Sequence, residues 1–237
     1  MKILITSGGT EEPLDGVRYI TNFSTGRTGA GLAEYLTALG NDVMLLHGYH
    51  AVLPPHIQNG TIETLRYRTF SDLDAQLQRT LESDRDITAV IHLAAVSDYT
   101  PETFETPDGK IFPAGGQGKI SSSAKTMIVH FRRNYKILSK IRGYAQGRAI
   151  ILTGFKLTNT SDPNEKIAAI QKILQDKTCD LLVHNDLNEI GKASDDLHHT
   201  AAIYSANGDP LSLTQTKQQL FEQLYTHICH LHRRFYP

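Results

Sequence analysis

The chain has 237 residues, 40% hydrophobic and 21% charged, a composition that fits one large globular domain and excludes a disordered or fibrous chain. With 24 Lys+Arg against 25 Asp+Glu, no global field recruits nucleic acid or an anionic membrane, so any anion must be held locally. The only cysteines, Cys179 and Cys229, lie outside any metal or redox motif, and no apolar stretch approaches the ~20 residues of a membrane span; the expectation is a soluble, cytoplasmic protein with reduced thiols.

The opening MKILITSGGT is too short for a signal peptide and predicts a buried strand over residues 2–6. Residues 26–39 carry small and apolar residues at helical spacing and stop at Gly40, and a second strand follows at 43–47. Ser71 is the expected N-cap of a helix to Leu81, with Leu73, Leu77 and Leu81 on one stripe. The near-continuous apolar run at 87–94 predicts a strand covered on both faces. Residues 100–118 break the rhythm with prolines and glycines and predict a long loop or flexible flap. A strand at 126–131, a helix at 135–144 and a strand at 149–155 come next. Asp162-Pro163 opens a helix to about Lys177, and a strand follows at 180–184. Strands at 200–205 and 211–214 flank Asn207-Gly208-Asp209, a hairpin signal. Thr216 caps a last helix with Leu220, Phe221, Leu224, Ile228 and Leu231 inward. Strands alternating with helices predict an α/β, Rossmann-like fold: one domain over 1–237, a mostly parallel sheet flanked by helices, a C-terminal β-hairpin and a final helix.

Two glycine segments stand out. Gly8-Gly9 after the first strand lets backbone N–H groups approach a ligand, although a tight turn explains it equally well. It is not the dinucleotide fingerprint, because a polar loop separates it from the helix, and no acidic residue ends the second strand. Ser24-Thr25-Gly26-Arg27 leads straight into the helix; its N–H groups, hydroxyls and guanidinium suit an anion, and a Ser/Thr cap is the simpler alternative. Asp98 lies just past the 87–94 strand, where open α/β sheets place ligands. It suits Mg²⁺ or a nucleotide polar group, or else caps a turn. His227, Cys229, His230 and His232 crowd the last helix, but not at i, i+4, so no metal is expected there.

Thr6-Ser7-Gly8-Gly9-Thr10, Glu12-Pro13-Leu14-Asp15 and the run from Val17 through Arg18 and Asn22 to Arg27 together resemble the opening of phosphopantothenate–cysteine ligases. Ala94-Ala95-Val96-Ser97-Asp98-Tyr99, Lys119-Ile120, Asn134-Tyr135-Lys136-Ile137-Leu138, Gly154-Phe155-Lys156-Leu157 and Asn185-Asp186 match the same family in the same order. With nothing ahead of Met1, the free-standing bacterial form is implied, without the flavin decarboxylase domain. Two Gly-Lys-Ile triplets occur, at Lys110 and Lys119, and Lys119 takes the family role because the polar triplet, strand and Asn134 motif follow it.

The resemblance implies a reaction and a cast. A nucleoside triphosphate, CTP in preference to ATP, activates the carboxylate of 4′-phosphopantothenate with Mg²⁺, and L-cysteine then attacks the acyl-nucleotidylate. Asn22 would orient the acyl intermediate, Arg18 a substrate anion, and Lys119 the triphosphate. Ala94, Ala95 and Asp98 would meet the nucleotide, Tyr135, Lys136, Ile137 and Leu138 would wrap the pyrimidine, and Phe155 would stack on the base. Lys172 and Lys177 are the candidates for a further nucleotide contact. A homodimer is also implied. Two rivals are a nicotinamide-dependent oxidoreductase, which lacks its Tyr-x-x-x-Lys pair here, and a non-catalytic nucleotide-binding module.

Overall fold

A computed structural model describes residues 1–55, 62–116, 118–121, 125–175, 177–190 and 198–236. The apolar opening forms β1 (Lys2–Ser7), buried over all but its first residue. A short hairpin, β2 (Glu11–Pro13) and β3 (Tyr19–Thr21), fills the polar loop before α1 (Arg27–Ala38). Then come β4 (Asp42–Gly48), β5 (Ile62–Tyr67), α2 (Phe70–Ser83) and β6 (Ile87–His92). An excursion of β7 (Tyr99–Glu105), β8 (Ile111–Pro113) and β9 (Ile128–Arg133) forms its own antiparallel sheet. A 3₁₀ turn (Ile137–Ser139) and α3 (Ile141–Tyr144) lead into β10 (Ile151–Thr158), α4 (Pro163–Gln175), β11 (Leu181–Asp186) and α5 (Leu187–Ile190). The hairpin β12 (His198–Ser205) and β13 (Pro210–Thr216) and the helix α6 (Lys217–Phe235) complete the fold.

The main sheet runs β13-β12-β11-β10-β6-β1-β4-β5, with the six strands from β11 to β5 parallel and the final hairpin antiparallel. The chain moves outward from β1 through β4 to β5, then returns to the other side of β1 at β6. The crevice at the C-terminal ends of β1 and β6 is therefore the switch point where such sheets bind ligands. Each face has its own core. Leu32 and Leu36 of α1 meet Leu220, Leu224 and Ile228 of α6 over Ile3, Ile5 and Ile91. On the other face, Leu73, Leu77 and Leu81 of α2 join Ile141 and Ile170 over Leu4, Val90 and Leu152. Fully burying one such side chain contributes about 2 kcal/mol, so the stripe read from α2 is a real anchor. No helix among the described residues is long and apolar enough to cross a membrane.

Several boundaries differ from the sequence expectation, each for a physical reason. The α2 cap is Thr69, not Ser71: Thr69 accepts from Asp72 N while the Asp72 side chain takes the Thr69 amide, a reciprocal capping box. The N-cap of α1 is Gly26, in the left-handed region at φ 74, rather than Ser24 or Thr25, and Thr25 Oγ1 accepts from Arg27 N only at 3.5 Å. The helix expected at 135–144 shrinks to a 3₁₀ turn and α3, because Lys136 is extended and tied by its ammonium to Asp98. Within the stretch expected as a loop, residues 100–105 and 111–113 are strands. Pro101 sits beside a register irregularity in β7, and Pro113 ends β8, an edge strand, so both prolines occupy places where a ladder tolerates them. The turn between these strands uses Gly109 at φ 78, with Thr106 N donating to Lys110 O.

Candidate active site

The switch point is stitched by main chain. Ala95 N donates to Gly8 O and Thr10 N to Ala95 O, at 2.9 and 3.2 Å, so the loops after β1 and β6 run side by side. Thr6 Oγ1 accepts from Leu93 N and Ala94 N and lies 2.9 Å from His92 Nδ1. Burial pushes the His92 imidazole down to about 4 and keeps it neutral. Tyr67 OH donates to Ser7 O and fixes the turn from beneath.

Glycine is dictated here by contact. A Cβ on Gly9 would come within 2.6 Å of Asn22 O, and one on Gly29 within 2.2 Å of Ser7 Oγ. Gly8 and Gly26 both adopt positive φ and both face Ala51, where a Cβ would collide at 2.6 and 2.8 Å. The end of β1, the start of α1 and the loop after β4 therefore pack too closely to admit another side chain. That arrangement leaves the N–H groups at the start of α1 beside Ser24 and Thr25, a suitable environment for a phosphate.

Asn22 comes to this seam through β3. Thr21 Oγ1 donates to Thr10 O at 2.7 Å, and Asn22 Nδ2 donates to Val96 O at 2.9 Å. Asn22 remains exposed. Two residues beyond Val96, the Asp98 carboxylate pairs with Lys136 Nζ. Sequence reading had not singled out what holds that pair. Asn134 is buried, takes Asp98 O with its N–H at 2.8 Å, donates Nδ2 to Ser97 O, and meets Thr100 Oγ1. Thr100 in turn reaches buried Glu12, whose other oxygen accepts from Phe70 N at the start of α2. The Glu12-Pro13 pair after a glycine turn was the available signal. A carboxylate that close to a helix N-terminus satisfies an orphan donor and gains from the dipole.

Sequence-predicted residues fall in four places. Gly8, Gly9, Asn22, Ala94, Ala95, Asp98 and Lys136 meet at the seam. Tyr135 leans away, donating to Asp74 and standing edge-on to Phe70, while Ile137 is buried and Leu138 packs where a Gly154 Cβ would be, 2.9 Å away. Phe155 is half-buried on β10, over the α1–α6 core.

Lys119 lies on the excursion side. It lines a cavity of about 1090 Å³ with Leu14, Phe104, Phe112 and Ile120; Asn22 and Asp98 are not among its described lining residues. Lys110 lines the same cavity but is paired with Asp108 at 2.7 Å. Arg18 belongs with Lys119: its guanidinium meets Asp15 at 3.1 Å and donates to Ile120 O at 2.6 Å. Lys172 and Lys177 are not brought to the seam. Lys177 borders a groove with Tyr204 and the Asn207-Gly208 turn, at the N-terminal end of β11, and exposed Lys172 lies on the half of α4 that runs toward that edge. Helices linking parallel strands return to the far edge, which spacing alone did not make plain. Among the described residues no cluster of three metal-ligating side chains occurs, the C-terminal histidines included.

Residues 1–231 match the family described as DFP, the DNA/pantothenate metabolism flavoprotein C-terminal domain. The coenzyme A biosynthesis bifunctional protein CoaBC of Methanocaldococcus jannaschii is 30% identical over 188 residues, covering 79% of this chain and 41% of that protein. The CoaBC protein of Vibrio vulnificus is 28% identical over 232 residues, covering 96% and 53%. The chain thus spans about half the length of these curated relatives. A crystal structure of the DNA/pantothenate metabolism flavoprotein from Streptococcus pneumoniae superposes with a TM-score of 0.83 at 31% identity, over 98% of this chain and 100% of that one. A Cab2 variant in complex with phosphopantothenate-cysteine shares the fold, with a TM-score of 0.70 at 20% identity over 99% of this chain and 87% of that one. The chain belongs to the DNA/pantothenate metabolism flavoprotein C-terminal domain family.

Proposed function

We propose that this domain is a phosphopantothenate–cysteine ligase, joining 4′-phosphopantothenate to L-cysteine at the expense of CTP. One observation carries the reading: Asn22 and the Ala94–Asp98 segment meet at the β1–β6 switch point through the Asn22–Val96 bond. The Cab2 complex, a protein of the same fold solved with phosphopantothenate-cysteine, supports it.

Oxide is a poor leaving group, so the carboxylate must be activated first. A carboxylate oxygen attacks the α-phosphorus, the bond to the β-phosphate oxygen breaks, and pyrophosphate leaves. The cysteine amine then attacks the acyl carbon, the acyl–oxygen bond breaks, and CMP departs with loss of one proton from nitrogen. This chemistry asks a protein for positioning and charge neutralisation. The α1 N-terminus with Ser24, Thr25 and Arg27 would hold a phosphate, and the second Nδ2 proton of Asn22 would meet the oxyanion of the amide-forming step. Asp98 and Lys136 would address the nucleotide, with Phe155 beneath the base, and Lys119 would approach the triphosphate from the excursion. Mg²⁺, when bound, would neutralise triphosphate charge, with the Asp98 oxygen not facing Lys136 as its protein ligand. A homodimer is part of the reading, because Ile111 and Ile128, both in register with Glu105 of β7, stand exposed on one face of the small sheet, a surface a second copy would cover.

The test separates the half-reactions. Pyrophosphate release from CTP should require 4′-phosphopantothenate but not cysteine; release that needs neither, or none at all, rejects the ligase. Asn22→Asp should still release pyrophosphate while amide formation drops roughly 10²–10³-fold, the usual loss of one oxyanion donor. Equal loss of both steps would remove the assigned role of Asn22.

A further inference from the structure

We infer that Asp15 is a positioning residue that latches the Lys119 segment onto the β2–β3 hairpin and thereby sets where Lys119 stands. This rests on the ligase reading above, in which Lys119 meets the triphosphate. Asp15 occupies the loop joining β2 to β3, and its side chain is 2% exposed although the loop around it faces solvent.

Its two oxygens have different tasks. Oδ1 accepts from Val17 N and Arg18 N at 2.9 and 2.8 Å, a local turn that any Asp or Asn can make. Oδ2 points across the chain, accepting Ile120 N at 3.0 Å and meeting Arg18 Nη2 at 3.1 Å. Arg18 completes the clasp by donating to Ile120 O, so both main-chain groups of the residue after Lys119 are held by one ion pair. Gly16 N donating to Gly118 O adds a third tie on the other side of Lys119. The Ile120 N–H is also the main reason the Asp15 carboxyl sits below its ordinary range. Lys119 itself lies between β8 and β9, outside both strands, so the ties to its two neighbours bear directly on where its backbone stands. A lysine ammonium on a long stem is useful to a triphosphate only if its root is placed.

Asp15→Asn separates the two tasks. Its one carbonyl oxygen can keep the turn to Val17 and Arg18, while its amide then faces Ile120 N–H and the guanidinium, donor against donor. Hydrogen exchange and steady-state pyrophosphate release are measured on the full chain. The expected result is at least tenfold faster exchange at Ile120, with Val17 and Arg18 protection retained. The kcat for pyrophosphate release should fall roughly ten- to a hundredfold with KM for CTP near its original value, the signature of lost positioning. Unaltered exchange at Ile120 overturns the latch. Lost protection at Val17 and Arg18 reduces Asp15 to a turn residue. Faster exchange at Ile120 with undiminished kcat overturns its link to Lys119. A wild-type chain that releases no pyrophosphate fails the ligase reading instead, and exchange at Ile120 then decides the latch by itself.

Discussion

At the seam between β1, β4 and β6, glycines stand where any side chain would collide; in the β7–β8–β9 excursion, Ile111, Ile128 and Phe131 stand exposed. The seam owes its shape to what is missing from its residues, and the excursion owes its surface to what its residues carry. The first region holds the Asn22 and Asp98 ends of the proposed reaction in a fixed frame. The second brings Lys119, whose neighbours are tied to the β2–β3 hairpin by the Asp15–Arg18 clasp and the Gly16–Gly118 bond. Rigid floor and attached arm have different sensitivities, and substitutions should expose the difference.

The largest effect should come from the seam. Gly29→Ala would place a Cβ 2.2 Å from Ser7 Oγ and 2.5 Å from Ser7 Cβ, inside a strand that cannot retreat. It should destabilise the fold by about 3 kcal/mol, read as a lower urea midpoint at an unaltered slope. An unaltered midpoint would mean that the seam is looser than its contacts imply. Acid should act on the same region next. His92, at the end of β6, is buried and pushed down to about 4 from an ordinary 6.5. Once unfolded it takes up a proton from about pH 6.5, so the unfolded state binds more protons between 6.5 and 4 and stability falls as pH drops through that window. The loss should be on the order of 2–3 kcal/mol, with full stability above pH 7, and His92→Gln should flatten the slope. The excursion should tolerate the smallest cost. Ile128, 57% exposed, replaced by Lys should alter stability by no more than about 0.5 kcal/mol. It should nevertheless shift the chain from dimer toward monomer in sedimentation; a wild-type chain already monomeric at micromolar concentration would withdraw the homodimer.

The sequence made the sheet frame legible because buried parallel strands and amphipathic helices announce themselves by period. The 73/77/81 stripe, the Thr216 cap and the turn at Gly208 all stand where the pattern put them. The edge strand β5 escaped notice, since IETLRY buries only its two end residues. Strands β2 and β3 escaped because three residues carry no period. The seam residues Asn22 and Asp98 could be named from motifs in chain order. Their mutual placement depended on a hairpin that spacing does not encode. Lys172 and Lys177 went astray because a helix reverses direction, so residues near in sequence to Phe155 end on the opposite edge. Asp15 and Asn134 were visible as letters, but their bonds to Ile120 and Ser97 span 105 and 37 positions.

The collisions awaiting a Cβ at Gly9 and Gly29 also bear on how such a domain diversifies. Where a contact is set by the lack of a side chain, substitution has little to exchange, so the shape of the proposed site is held by geometry. Under the ligase reading, tailoring toward a different nucleotide or acid would run through the walls around it, exposed Tyr135 and the cavity beside Lys119, rather than through the frame.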